Sequence, residues 1–241
     1  VRYRELSRII EKLNTMKIET QIVTSAVRPI PREWAEFANL HLVVSVDGLA
    51  PEHDLRRDPA TYDRIIRNID GHQVVIHCTI VPEFLSQPDY LTEFARIWSL
   101  RPNVSKIWFS LFTPQRGMNT PERLSPAERE AAIGRIAAVR TLYPKVYAPG
   151  IVLEGYRHPP SAPSKCIFAQ ITDCLSADLR TPVTPCQIGG CPECTECGCI
   201  AGAGFAALGN FKLGGLLRLS AIFDFSRRMG ERMREVPPDL P

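Results

Sequence analysis

Apolar residues recur along the first 152 positions in two alternating rhythms. Leu6, Ile9, Ile10 and Leu13 fall at helical spacing, and Glu19–Thr24 then reads as a strand ending at the turn-prone pair Thr24-Ser25. Pro29–Ala38 predicts a second helix with Trp34, Phe37 and Ala38 on its inner face. His41–Asp47 is the next strand, closed by an Asp47-Gly48 turn, and Tyr62, Ile65, Ile66 and Ile69 mark a helix over Thr61–Ile69. Val74–Val81 is nearly continuous in its hydrophobicity, as strands covered on both faces are. A helix over Leu91–Leu100, a strand over Lys106–Phe112 and a long helix over Ser125–Leu142 complete the series. The last helix opens on Ser125-Pro126-Ala127-Glu128, a capping box with proline at the first helical position.

Strands separated by such helices mean βαβ units and a parallel sheet, hence an α/β fold that is either part of a barrel or a doubly wound sheet. Active sites on these scaffolds gather at the C-terminal strand ends, here Thr24-Ser25, Ser45–Asp47, Thr79 and Phe112–Pro114. The expected division is an α/β region over 1–155, a Pro- and Ser-rich linker over 156–165, a Cys-rich module over 166–223 and a tail over 224–241. The chain opens on a helix and not on Met, so a preceding strand and a longer parent protein are expected.

A net charge of +3 is too slight for a nucleic-acid-binding face. Ile200–Phe223 is apolar, but Lys212, Arg218 and five glycines interrupt it, so packing is expected there and not a membrane span. No targeting segment is evident, which favours the cytoplasm and, with it, reduced thiols.

Of eight cysteines, Cys78 lies alone in the Val74–Val81 run and reads as a small buried hydrophobe. The other seven are Cys166, Cys174, Cys186, Cys191, Cys194, Cys197 and Cys199. Cys191-Pro-Glu-Cys194-Thr-Glu-Cys197-Gly-Cys199 places four thiols in nine residues, among prolines and glycines that let the chain fold back on one centre. Iron–sulfur is the leading reading, zinc the second, and disulfides or inert thiols the third. Seven thiols exceed the four that one tetrahedral zinc or one cubane takes.

Ser45-Val-Asp47-Gly48, followed by Glu52-His53-Asp54-x-Arg56-Arg57 and Thr61-Tyr62-Asp63-x-Ile65-x-x-Asn68-Ile69, resembles the fourth strand and following helix of radical S-adenosylmethionine (SAM) enzymes with a SPASM or twitch extension. Phe112-Thr-Pro114-Gln-x-Gly117 and Glu122-x-Leu124-Ser-Pro126-x-Glu128-Arg129 are similar to the sixth strand and its helix in that group. The resemblance spans roughly residues 5 to 223 and implies strands 3–6 of a partial (β/α) barrel with a C-terminal auxiliary [4Fe–4S] module. The family's Cys-x-x-x-Cys-x-x-Cys motif does not occur in this sequence. SAM cleavage is therefore expected of the parent protein and not of this chain.

By position, the resemblance makes Ser45 a hydrogen-bond partner of SAM and gives Arg56 or Arg57 its carboxylate. The backbone of Phe112–Pro114, with Thr113, would flank adenine, Thr79 would reach SAM or substrate, and Asp47 would line the same site. The five histidines show no ligand-like spacing, and Trp34, Trp98 and Trp108 read as core. The implied partners are SAM and a peptide or small-molecule substrate. Two other functions compete: a zinc-stabilised, non-catalytic binding module, and a doubly wound α/β enzyme with structural zinc. The latter needs a Gly-rich phosphate loop after a strand, and Gly202–Gly215 follows the cysteines instead.

Overall fold

Each strand-like segment of the first half pairs with the next one along the chain. A computed structural model describes residues 5–235, apart from the side chains of 210, 212, 213, 217, 224, 227 and 231–235. The chain forms two compact units, Val1–Phe112 with Pro121–Ala148, and Thr113–Thr120 with Pro149–Pro241.

The first unit runs α1 (Leu6–Thr15), β1 (Thr20–Thr24), β2 (Leu40–Ser45), α2 (Ala50–Arg57), α3 (Tyr62–Asn68), β3 (Val74–Ile80), α4 (Tyr90–Ser99), β4 (Val104–Leu111) and α5 (Pro126–Leu142). Its four strands form one all-parallel sheet in the order β1-β2-β3-β4. Ser125 caps α5 with the reciprocal capping-box bonds that the sequence predicts, and Ala132, Ile133, Ile136 and Val139 bury its inner stripe.

Side chains alternate across a strand, so β3 has two distinct faces. Ile76, Cys78 and Ile80 are fully buried and register with Ile107, Phe109 and Leu111 of β4. The Phe94 ring of α4 lies 5.7 Å from Phe109 and 6.4 Å from Trp98, so α4 packs over this face. Val75, His77, Thr79 and Trp108 point the other way and are only half-buried. The expectation that β3 is covered on both faces is thus corrected. Its apolar run hides a period of two in which His77 and Thr79 occupy the open face. Cys78 faces the helices as a buried hydrophobe, and burial raises its thiol pKa far above the usual range.

Pro29–Ala38 is not an α-helix but only a 3-10 turn over Arg32–Glu36. Pro31 holds extended backbone just before it, and Ala38 is exposed. Trp34 is nevertheless buried, and its Nε1–H donates to Ser7 Oγ at 3.0 Å. Conversely α2 has no apolar periodicity to announce it, since only His53 in it is buried.

The second unit contains α6 (Gly150–Arg157), α7 (Ile167–Ile171), α8 (Ile200–Asn210), an antiparallel hairpin of β5 (Lys212–Leu213) and β6 (Leu217–Arg218), and α9 (Leu219–Glu235). α6 packs on α8 so closely that a Cβ at Gly155 would lie 2.2 Å from the Ala203 carbonyl oxygen. That contact ties residues from Pro149 onward to the cysteine-bearing unit, so the division falls at 148 and not at 155. Residues 156–165 hold the end of α6 and a 3-10 turn over Pro163–Lys165. Of the expected tail, 224–235 is helical and 236–241 lies outside the described residues. No described helix is long and apolar enough to cross a membrane.

Candidate functional site

Cysteine thiols can share a centre only where their loops converge, and the 113–120 segment organises that convergence. Gln115 pairs with Pro192 in an antiparallel bridge, Glu193 N–H donates to Pro114 O at 2.8 Å, and Arg116 N–H donates to Cys191 O at 2.7 Å. The Gln115 amide grips the 189–191 turn at both ends: Nε2–H donates to Gly189 O at 3.3 Å, and Oε1 accepts from Cys191 N–H at 2.7 Å. Thr113 Oγ1 accepts from Gly198 N–H at 2.9 Å and also bonds Cys197. Thr113 thus contacts the cysteine segment within the second unit, and the five other positions assigned to SAM lie in the first unit.

Five thiols form one electrostatic neighbourhood. Cys166 senses Cys199 and Cys186, Cys194 senses Cys186 and Cys166, and Cys197 senses Cys199 and Cys166. Burial raises the thiol pKa values of Cys166, Cys194 and Cys197, the last to about 11. Hydrogen bonds oppose that cost of ionisation. Backbone N–H groups of Ala169 and Phe168 meet Cys166, and that of Cys199 meets Cys197. Cys199 Sγ accepts from Gln187 Nε2–H at 3.0 Å and from Gly202 N–H at 3.5 Å, at the start of α8. Donors of this kind stabilise thiolates and tune a bound metal group.

The backbones of Cys174 and Cys191 are held by local hydrogen bonds. Cys174 opens a loop closed by Val183 N–H to its carbonyl at 2.8 Å and by a Leu175–Pro182 bridge. The Asp178 carboxylate organises this loop, accepting from Ser176 Oγ at 2.6 Å and from Arg180 and Thr181 N–H at 2.9 Å each. Cys191 is exposed, and its backbone serves the Gln115–Arg116 bridge. Cys166 and Cys186 lie near enough to Cys194 and Cys197 to affect their ionisation, together with Cys199. All eight cysteines are free thiols, and no three His, Cys, Asp or Glu side chains among the described residues already stand as a ligand set for one metal ion. The donor chemistry fits a thiolate-bound metal group, while the side chains are not closed on a single ion.

A second polar cluster occupies the strand ends of the first unit. Ser45 pairs in register with His77, and His77 with Trp108, which puts all three on the half-open face. His77 Nε2 lies 2.8 Å from Ser110 Oγ, and burial lowers the His77 pKa. Asp47 Oδ2 accepts from Arg57 Nε at 2.8 Å and pairs with Nη2 at 2.6 Å, while Oδ1 accepts from Thr79 N–H at 3.3 Å. Arg56 pairs with Glu122. Arg57 is thus engaged through Nε and Nη2 and Arg56 through Nη1, its buried Nε having no partner among the described residues, and Ser45 and Thr79 have no side-chain partner among them.

His53, at 0% exposure, braces the turn from behind. Its Nδ1 accepts from Asp47 N–H at 2.9 Å, so its proton sits on Nε2, which donates to Ala60 O at 2.8 Å. Burial lowers its pKa and keeps it neutral. Gly48 has φ +100°, and a Cβ there would meet Tyr90 Oη at 2.6 Å. Tyr90 Oη in turn accepts from Leu49 N–H at 2.8 Å. The remaining histidines are structural or surface groups, His72 buried and His41 and His158 exposed beside Glu19 and Glu154. Sequence reasoning missed Gln115 and Gln187, because single glutamines in loops carry no periodic or spacing signal.

Comparison with known protein families and with curated proteins finds no match to this chain.

Proposed function

We propose that the second unit holds an iron–sulfur cluster, a [4Fe–4S] centre in the auxiliary position of a radical SAM enzyme. The observation that carries this reading is the neighbourhood of Cys166, Cys186, Cys194, Cys197 and Cys199, met by backbone and side-chain donors. Four of these five would supply thiolates; Thr113, Gln187 and the N–H groups around them would hold the sulfurs in orientation. Such a cluster supplies one-electron transfer or an iron open to substrate.

In the same reading the first unit is part of a (β/α) barrel, and its half-open face is where SAM and a peptide or small-molecule substrate would lie. Ser45 and Thr79 offer hydroxyls there, while Asp47, Arg57 and His53 set the shape of the strand-end turn. The SAM-cleaving motif is not in this sequence, so radical generation is not assigned to this chain. Free thiols suit the reducing cytoplasm.

Anaerobic purification followed by iron and sulfide reconstitution tests the proposal. A brown protein with about four irons per chain and broad absorbance near roughly 400 nm is expected. A colourless product after reconstitution overturns it, and stoichiometric zinc without iron supports the non-catalytic binding module instead.

A further inference from the structure

Water-exposed apolar side chains are costly unless something covers them, and the segment after α8 gathers several. The two paired strands Lys212–Leu213 and Leu217–Arg218 set Lys212 opposite Arg218 and turn through Gly214 and Gly215, both at positive φ. Leu216 rides that turn at 93% exposure. The hairpin leads directly into α9, and Leu219 N–H donates to Phe211 O at 3.0 Å, so hairpin and helix start form one piece. On α9, Ile222, Phe225 and Met229 are exposed at 40%, 67% and 43%, and Phe211 before the hairpin at 51%.

Their spacing of three and four places Ile222, Phe225 and Met229 along one helical stripe. At about 100° per residue, positions 219, 222, 223, 225, 229 and 233 share an apolar arc of roughly 160°. Basic positions 227, 232 and 234 fall at the two edges of that arc, while 228 and the acidic positions 224, 231 and 235 fall on the opposite face. Residues 211–235 carry six basic and three acidic side chains, a net charge equal to the +3 of the whole chain. An apolar strip edged by cations is what lies in the headgroup plane of an anionic bilayer, with long basic side chains reaching the phosphates.

We propose that residues 211–235, hairpin and α9 together, dock the protein on an anionic lipid surface without crossing it. Leu216 enters the headgroup–acyl boundary at the hairpin tip, and the Ile222–Phe225–Met229 stripe lies along it. Arg218, exposed at the hairpin, faces anionic headgroups with the basic positions at the edges of the arc. A second copy of the chain is the poorer occupant, because pairing like faces sets basic rim against basic rim. This inference does not depend on the metal reading.

Flotation of the full chain with vesicles tests it, using phosphatidylcholine alone and phosphatidylcholine with about 30 mol% phosphatidylserine. Binding is expected on the anionic vesicles, weakening as salt rises, since each basic residue at such a surface is worth roughly fivefold in partitioning. The L216D/F225D variant, with its helical circular dichroism unchanged, should partition at least about tenfold more weakly. The surface variant R218E, which changes the local charge by two, should lose roughly tenfold or more on anionic vesicles, and it removes no apolar contact. Equal binding to neutral and anionic vesicles, no binding to either, or wild-type partitioning of L216D/F225D overturns the proposal. So does a concentration-dependent dimer that these two substitutions abolish.

Discussion

The ion pair between Asp47 and Arg57 separates two roles for residues that the sequence places at a SAM site. If Arg57 waits for a ligand carboxylate, truncating it should barely affect the folded protein. The structure gives it a partner instead: the Asp47 side chain is 6% exposed and that of Arg57 36%. Arg57→Ala leaves a buried carboxylate with, among the described residues, only the Thr79 N–H at 3.3 Å as a donor. Breaking a fully buried pair costs about 3–5 kcal/mol, and water entering on the Arg57 side reduces this to about 2–3 kcal/mol. Asp47→Asn keeps the shape and an acceptor for Thr79 and leaves a guanidinium that reaches solvent, so it should cost only about 1 kcal/mol. The double variant should lose less than the sum of the two, because the orphaned charge is gone. Urea unfolding of the three variants, compared at constant m value, measures this. An Arg57→Ala loss within about 0.5 kcal/mol of zero, or a larger loss for Asp47→Asn, refutes the reasoning.

Three further outcomes follow from the same geometry. Serine at four of the five positions Cys166, Cys186, Cys194, Cys197 and Cys199 should lower iron and sulfide content after reconstitution, whereas Cys174→Ser and Cys191→Ser should retain it; equal losses across all seven would refute that assignment. Gly48→Ala should destabilise by about 2 kcal/mol or more, read as a lower urea midpoint, because its φ is +100° and the new methyl would meet Tyr90. Burial holds the His53 pKa below its usual 6.5, so the unfolded chain binds the proton first. Stability should therefore be full above about 6.5 and decline as pH falls below it, and His53→Gln should flatten that slope in urea titrations. An unchanged slope would mean that His53 is not held neutral by the fold.

The parallel α/β class is legible in residue order alone. Four apolar strand segments alternate with helical ones, and hydrophobic burial leaves few other ways to pack that pattern. The capping box at Ser125 and the tight Asp47-Gly48 turn are local and show in a few adjacent residues. So is the clustering of cysteines along the chain, because thiols spaced by two residues are a pattern in one dimension.

What the tertiary structure alone decides is which distant groups meet. Cys166 and Cys186 come near Cys194, Cys197 and Cys199 from elsewhere in the chain, and the Gln115–Arg116 segment holds the backbone of Cys191. Arg57 finds Asp47 ten residues away and Arg56 finds Glu122, since electrostatic pairing depends on separation in space. The open face of β3 was hidden in an unbroken apolar run, and only the placement of α4 shows which side of each strand water reaches. The run of cysteines is visible in the spacing; which of them come near one another is not, because loop closure brings side chains together without leaving a periodic trace.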